Sequence, residues 1–170
     1  MGYGETITIT DETQDIRQCW RTPPQLFDDL NAIFHFTVDA CANQDNALLP
    51  RFWSVDDDAR LHDWTDESVF CNPPFGEIAT FVIKAPQAKT TVFLLPVTAL
   101  TTKYFGQTPA SVVALPPHRI KFVAPDEIKD KLKSTGGPSL GTVVLIYGLT
   151  TNNQLTQIKN MGFSVFSILD

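Results

Sequence analysis

The chain has 170 residues, 43% hydrophobic and 19% charged, the make-up of one globular domain with a single filled core. No apolar run reaches the ~18 residues of a membrane span. The opening Met1-Gly2-Tyr3-Gly4-Glu5-Thr6 lacks the basic and apolar parts of a signal peptide. Cys19, Cys41 and Cys71 are too widely spaced for a disulfide framework or a zinc pattern, the three histidines lie in unlike contexts, and no metal is expected. The net charge of −6 argues against nucleic acid until its distribution is read. Residues 1–76 hold 4 Lys/Arg and 14 Asp/Glu, residues 77–170 hold 9 and 5. A chain so divided can turn one basic face to a phosphate backbone, or merely carry a solvated lysine surface. A reducing cytoplasm is the expected compartment.

Residues 1–19 are polar and read as an irregular segment ahead of one domain over 20–170. Pro23-Pro24 followed by Leu26, Phe27, Leu30, Ile33 and Phe34 predicts a helix over 24–34. Phe36 to Cys41 reads as a buried strand carrying Asp39. The polar stretch 43–62 holds a possible short strand at Arg51-Phe52-Trp53 and the acidic run Asp56-Asp57-Asp58. A strand over Ser68–Cys71 and a helix over Glu77–Ala85, stopped by Pro86, come next. Thr91–Leu95 is a continuous apolar run of the kind found inside parallel sheets. A helix near 99–106 precedes strands at Ser111–Leu115, Arg119–Val123 and Thr142–Tyr147. The lysine-bearing Gly136-Gly137 loop lies between the last two. A helix near 152–161 and a strand at Phe163–Ile168 close the chain. Alternating strands and helices predict an α/β fold with a mostly parallel sheet and an antiparallel element near the end. Ligands of such sheets bind beyond the carboxyl ends of strands, where Asp39 and Asn72 both fall.

Asn72-Pro73-Pro74-Phe75, directly after a strand, is the most telling segment. An asparagine oxygen and a neighbouring backbone carbonyl can accept both N–H groups of an exocyclic amine, drawing its nitrogen towards tetrahedral geometry and freeing its lone pair. Two prolines fix φ and donate nothing, so the carbonyl between them stays available. The aromatic ring offers a stacking face for a planar base. Asn-Pro and Pro-Pro are also common turn signals.

Other segments join this one in order: Trp20-Arg21-Thr22-Pro23-Pro24-Gln25-Leu26-Phe27, Phe36 to Ala42, Leu61-His62-Asp63-Trp64, Phe70 to Gly76, Leu94-Leu95-Pro96 and Arg119-Ile120-Lys121-Phe122. Over roughly residues 20–147 the chain resembles the phage DNA N6-adenine methyltransferase family, the Dam-like enzymes of phages and prophages. The resemblance implies a class I methyltransferase (Rossmann-like) fold, mostly parallel with an antiparallel C-terminal strand and helices on both faces. It implies S-adenosylmethionine as methyl donor and DNA as partner. Asn72, Pro73, Pro74 and Phe75 would be catalytic and hold the target adenine. Thr22, Pro23, Asp39, Ala40, Cys41, Asp63 and Trp64 would bind the donor, with Asp39 at its amino group and Asp63 at its adenosine part. Asp39 could instead cap a strand end, Asp63 could be a surface acid or helix cap, Trp64 could be core, and Thr22-Pro23 could only start a helix. The turn Asp39-Ala40-Cys41-Ala42-Asn43 lacks the glycines that ordinary class I enzymes carry there.

At 170 residues no separate target-recognition domain of ordinary size is expected. His118, Arg119, Lys121, Lys129, Lys131 and Lys133 are the candidate DNA contacts, and a second copy of the chain would extend their reach. Arg119 could equally pair with a carboxylate of the fold. Two other readings stay open: the same motif acting on RNA adenine or protein glutamine, and a non-catalytic binder of this fold in phage–host conflict. Restriction–modification is one setting such an enzyme serves.

Overall fold

A computed structural model describes residues 20–125 and 141–168. Helix α1 (Pro24–Phe34) buries Phe27, Leu30, Ile33 and Phe34 on one face, and its prolines sit where a missing N–H costs nothing. It ends on His35 at φ 51°. The Asn31 carbonyl accepts from His35 N–H and the Asn31 side chain from Phe36 N–H, each at 2.8 Å. These bonds offset the roughly 1–2 kcal/mol that a side chain costs in the left-handed region.

There follow β1 (Val38–Asp39), β2 (Ser68–Cys71), α2 (Ile78–Lys84), β3 (Thr90–Pro96), α3 (Lys103–Gln107), β4 (Val112–Leu115), β5 (Thr142–Gly148), α4 (Asn152–Asn160) and β6 (Ser164–Ser167). The six strands form one sheet in the order β1-β2-β3-β5-β4-β6. β1, β2 and β3 are parallel neighbours; β5 is antiparallel to both β3 and β4, and β6 is antiparallel to β4. The carboxyl ends of β1 to β4 therefore share one edge.

Side chains alternate between two apolar layers. Val69, Cys71, Phe93, Leu95, Val113 and Leu145 face a layer closed by Ile78, Phe81 and Val82 of α2. Phe70, Val92, Leu94, Val112 and Ile146 face the opposite layer, closed by α1 and by Ile158 of α4. Burial on both sides explains why Thr91–Leu95 is continuously apolar rather than alternating.

The α/β fold with helices on both faces is as expected, and α1 and β2 match residue for residue. Three expectations need correction. The antiparallel part is not one terminal strand: β5 is wedged between β3 and β4, and β6 adds a second antiparallel strand at the edge. Arg119–Val123 is no strand; after Pro116-Pro117 the segment makes only a one-residue antiparallel bridge, Val123 to Arg21. Arg51-Phe52-Trp53 likewise contributes a single parallel bridge, Phe52 to Asp39.

Candidate active site

β2 delivers Asn72 to the carboxyl edge. Its register is held by β1 and β3 and by Phe70, which packs edge-on against Phe27 with centroids 5.0 Å apart. Asn72 is half-buried, and its Nδ2 donates to Thr22 Oγ1 at 3.2 Å. Among the described residues nothing donates to Asn72 Oδ1 or to the Pro73 carbonyl, whereas the Pro74 carbonyl is taken by Glu77 N–H at 2.9 Å. Thr150 Oγ1 is the only buried side-chain polar atom without a partner among the described residues, so Asn72 Oδ1 is not sealed in the core. Two acceptors thus remain unspent on consecutive residues, one stiffened by proline. Pro73 is buried, and Phe75 stands at the surface, 43% exposed.

Two cavities meet at Asn72. One of about 220 Å³ runs along the end of β1, lined by Ala40, Cys41, Trp53, Asp58, Pro74 and Phe81 among others. The other, about 40 Å³, is lined by Trp20, Thr22, Asp39, Leu48 and Phe70 among others. Cys41, Asn46 and Asn72 line both. Small side chains at Ala40 and Ala42 keep the turn after β1 low where glycines were missed, and both are buried.

Asp39 is 3% exposed. Its Oδ2 accepts from Leu48 N–H at 3.3 Å. Burial pushes its carboxyl up to about 6, against the opposing pull of the Leu48 and Cys41 backbone N–H groups. Its backbone also draws in the 51–53 segment, with Asp39 N–H to the Arg51 carbonyl at 3.1 Å and Trp53 N–H to the Asp39 carbonyl at 2.9 Å. That pair of bonds brings Trp53 to the cleft, where it stacks on His62 at 4.5 Å. Beyond it, Asp58 sits at φ 47° and binds Arg60 through both oxygens, at 2.6 and 2.9 Å. The Arg60 guanidinium holds the Asp58 carboxyl below its usual range. Cys41 and Cys71 thiols lie 3.3 Å apart, and burial raises the latter's pKa.

Of the expected donor-binding residues, Thr22, Asp39, Ala40 and Cys41 are brought together at the two cavities, with Pro23 beside them. Asp63 and Trp64 are not. The Asp63 carboxylate is exposed and spent on Thr65, accepting from its N–H at 2.9 Å and its hydroxyl at 2.6 Å. Trp64 is fully buried core, its Nε1 donating to the Ala59 carbonyl at 2.8 Å. Trp53, Ser54, Asp58 and Arg60 take that side of the cleft instead. Their sequence signal was the Arg51-Phe52-Trp53 segment and the acidic run that follows it. His118, Arg119 and Lys121 line a separate groove of about 450 Å³ against Pro23 and against Leu26 and Asp29 of α1. Lys129, Lys131 and Lys133 lie outside the described residues. No group of three or more His, Cys, Asp or Glu among the described residues is arranged to hold a metal, and no described helix is long and apolar enough to cross a membrane.

An α/β sheet whose carboxyl edge carries Asn-Pro-Pro-Phe beside a two-part cleft is consistent with a methyltransferase. Sequence comparison makes the assignment definite. The DNA N-6-adenine-methyltransferase (Dam) family matches over residues 9–161, and the chain belongs to that family. It is similar to the DNA N-6-adenine-methyltransferase of Haemophilus phage HP1 (strain HP1c1), 26% identical over 127 residues, covering 69% of this chain and 73% of that one. It is also similar to the putative methyltransferase YfdM of Escherichia coli (strain K12), 31% identical over 71 residues, covering 38% of this chain and 78% of the relative.

Proposed function

We propose that the chain transfers a methyl group from S-adenosylmethionine to N6 of adenine in DNA. The observation that carries this reading is the pair of unspent acceptors, Asn72 Oδ1 and the Pro73 carbonyl, at the junction of the two cavities. An elongated donor suits such a cleft. A cationic amino end matches the buried Asp39 carboxylate, and a flat end matches the wider cavity beside Trp53 and Asp58. Asn72, which lines both cavities, would then stand beside the donor's middle. When bound, the donor supplies an electrophilic methyl on a cationic sulfur.

The chain's own residues do the rest. The target adenine leaves the duplex, because its amino group is otherwise out of reach. Phe75, exposed beside the cleft mouth, stacks on the extruded base. Asn72 Oδ1 and the Pro73 carbonyl accept its two N–H groups, turning the nitrogen lone pair out of conjugation and towards the donor. Holding both reactants in contact removes the entropic cost of their encounter. The proton of the methylated nitrogen, now acidic, passes to solvent. DNA is held by His118, Arg119 and Lys121 on the groove beside α1, so this single domain reads its target with loops, in the bacterial cytoplasm where that DNA lies.

The test is methyl transfer from labelled donor to DNA, RNA and protein, with nucleoside analysis of the product. N6-methyladenine in DNA is expected. Label on RNA or glutamine alone would reassign the acceptor, and no donor binding by calorimetry would leave a non-catalytic binder. Asn72→Ala should lower turnover at least ~100-fold, the scale of losing a transition-state hydrogen bond, with donor affinity changed less than ~3-fold. Near-normal turnover would remove Asn72 from the mechanism.

A further inference from the structure

We infer that Thr22 is a positioning residue that holds the Asn72 carboxamide in place at the cleft, through the Nδ2 end, an inference resting on the function proposed above. A carboxamide has two ends of nearly equal size and opposite chemistry: an oxygen that only accepts and an NH₂ that only donates. An exocyclic amine presents N–H groups, so Asn72 serves it only with Oδ1 forward. With Nδ2 forward, donors would meet donors.

The Thr22 hydroxyl accepts from Nδ2 at 3.2 Å, which leaves Oδ1 without a donor among the described residues on a side chain that lines both cavities. Both ends of this bond are stiff, although they lie fifty residues apart in sequence. Thr22 is 6% exposed. On one side it is fixed by the Arg21–Val123 bridge, with N–H to carbonyl bonds of 2.9 Å in both directions. On the other side, Pro23 and Pro24 lead straight into α1, whose first turn closes with Phe27 N–H on the Pro23 carbonyl at 3.1 Å. Asn72 is fixed by the β2 ladder before it and Pro73 after it. Neither backbone can drift to restore the bond once the hydroxyl is gone.

The experiment compares Thr22→Val, which keeps the shape and loses the acceptor, with Thr22→Ser, which keeps the hydroxyl. If Asn72 loses its orienting partner, kcat of the valine variant falls about tenfold to a hundredfold, the equivalent of one lost hydrogen bond. Its donor dissociation constant moves less than about threefold, and the serine variant stays within about threefold of wild type in both. A valine variant with weakened donor binding and unchanged kcat would overturn the inference and make Thr22 a donor contact instead.

A second readout does not depend on methyl transfer. In ¹H–¹⁵N spectra the Asn72 side-chain NH₂ pair, assigned by its loss in Asn72→Asp, should shift in Thr22→Val and hold its place in Thr22→Ser. An unmoved pair in the valine variant sinks the inference even if the wild type methylates adenine. A shifted pair in a protein that methylates something else, or nothing, upholds the Thr22 contact and overturns the proposed acceptor. Should the valine variant fail to fold, Thr22→Ala carries the same comparison.

Discussion

Asp39 combines deep burial with a proposed role that needs its charge, and the two pull against each other. Its folded-state carboxyl is raised to about 6 from 3.8. Between those values the folded chain holds a proton that the unfolded chain has released, so stability falls as pH rises through that window and is flat above it. A shift of about two pH units corresponds to at most roughly 3 kcal/mol. Asp39→Asn should remove this dependence, giving a variant more stable than wild type at pH 7 in denaturant titrations. The same variant should bind the donor more weakly, and wild-type donor affinity should drop as pH falls through about 6, by up to about tenfold per unit. A donor affinity independent of pH from 5 to 7 would separate Asp39 from the donor's cationic end. Asp63 teaches the complementary lesson. Its carboxylate looked available in the sequence because nothing there shows that Thr65, two residues on, consumes it through local bonds.

Among the elements, the loop after β1 matters most for the site. In sequence it reads as a polar stretch with one possible short strand at Arg51-Phe52-Trp53; the Asp39–Phe52 bridge is what forms there, and the left-handed Asp58 has no distinctive residue pattern. Its placement predicts a contrast: Asp58→Ala should weaken donor binding about tenfold by releasing Arg60 from the cleft wall, while Asp63→Ala leaves it within about twofold. Calorimetry on the two variants decides, and equal effects would put the cleft wall elsewhere. Arg119–Val123 was misread for a related reason. Its alternation of charged and apolar residues has a strand's period, but period says nothing about whether a partner strand is present, and here only Arg21 is. Where burial on two faces imposes an apolar pattern, as in β2 and β3, sequence and structure agree. β5 ends on Gly148 at φ 95°, where a Cβ would lie 2.2 Å from the Lys89 carbonyl oxygen. Gly148→Ala should therefore cost more than about 2 kcal/mol, visible as a thermal midpoint several degrees lower.

For the whole molecule, the charge split becomes spatial. The acidic half supplies β1, β2 and most of the cleft wall, and the groove carrying His118, Arg119 and Lys121 opens beside α1. DNA binding through such a face should weaken steeply with salt, log affinity against log salt falling with a slope of roughly −0.9 per phosphate contact on duplex DNA. Lys121→Ala should make that slope shallower by about one contact. A salt-independent isotherm would count against the groove as the DNA face. The order of the sheet has another consequence, for synthesis on the ribosome. β3 and β4 are both made before β5, yet β5 lies between them and pairs with β3 along its full length, from Thr90–Gly148 to Pro96–Thr142. Until residue 148 has emerged, the two earlier strands have no shared neighbour, and the apolar edge of β3 stays open to any other nascent chain. At about 5–20 residues per second that exposure lasts seconds, and the sheet closes only once β5 has been made.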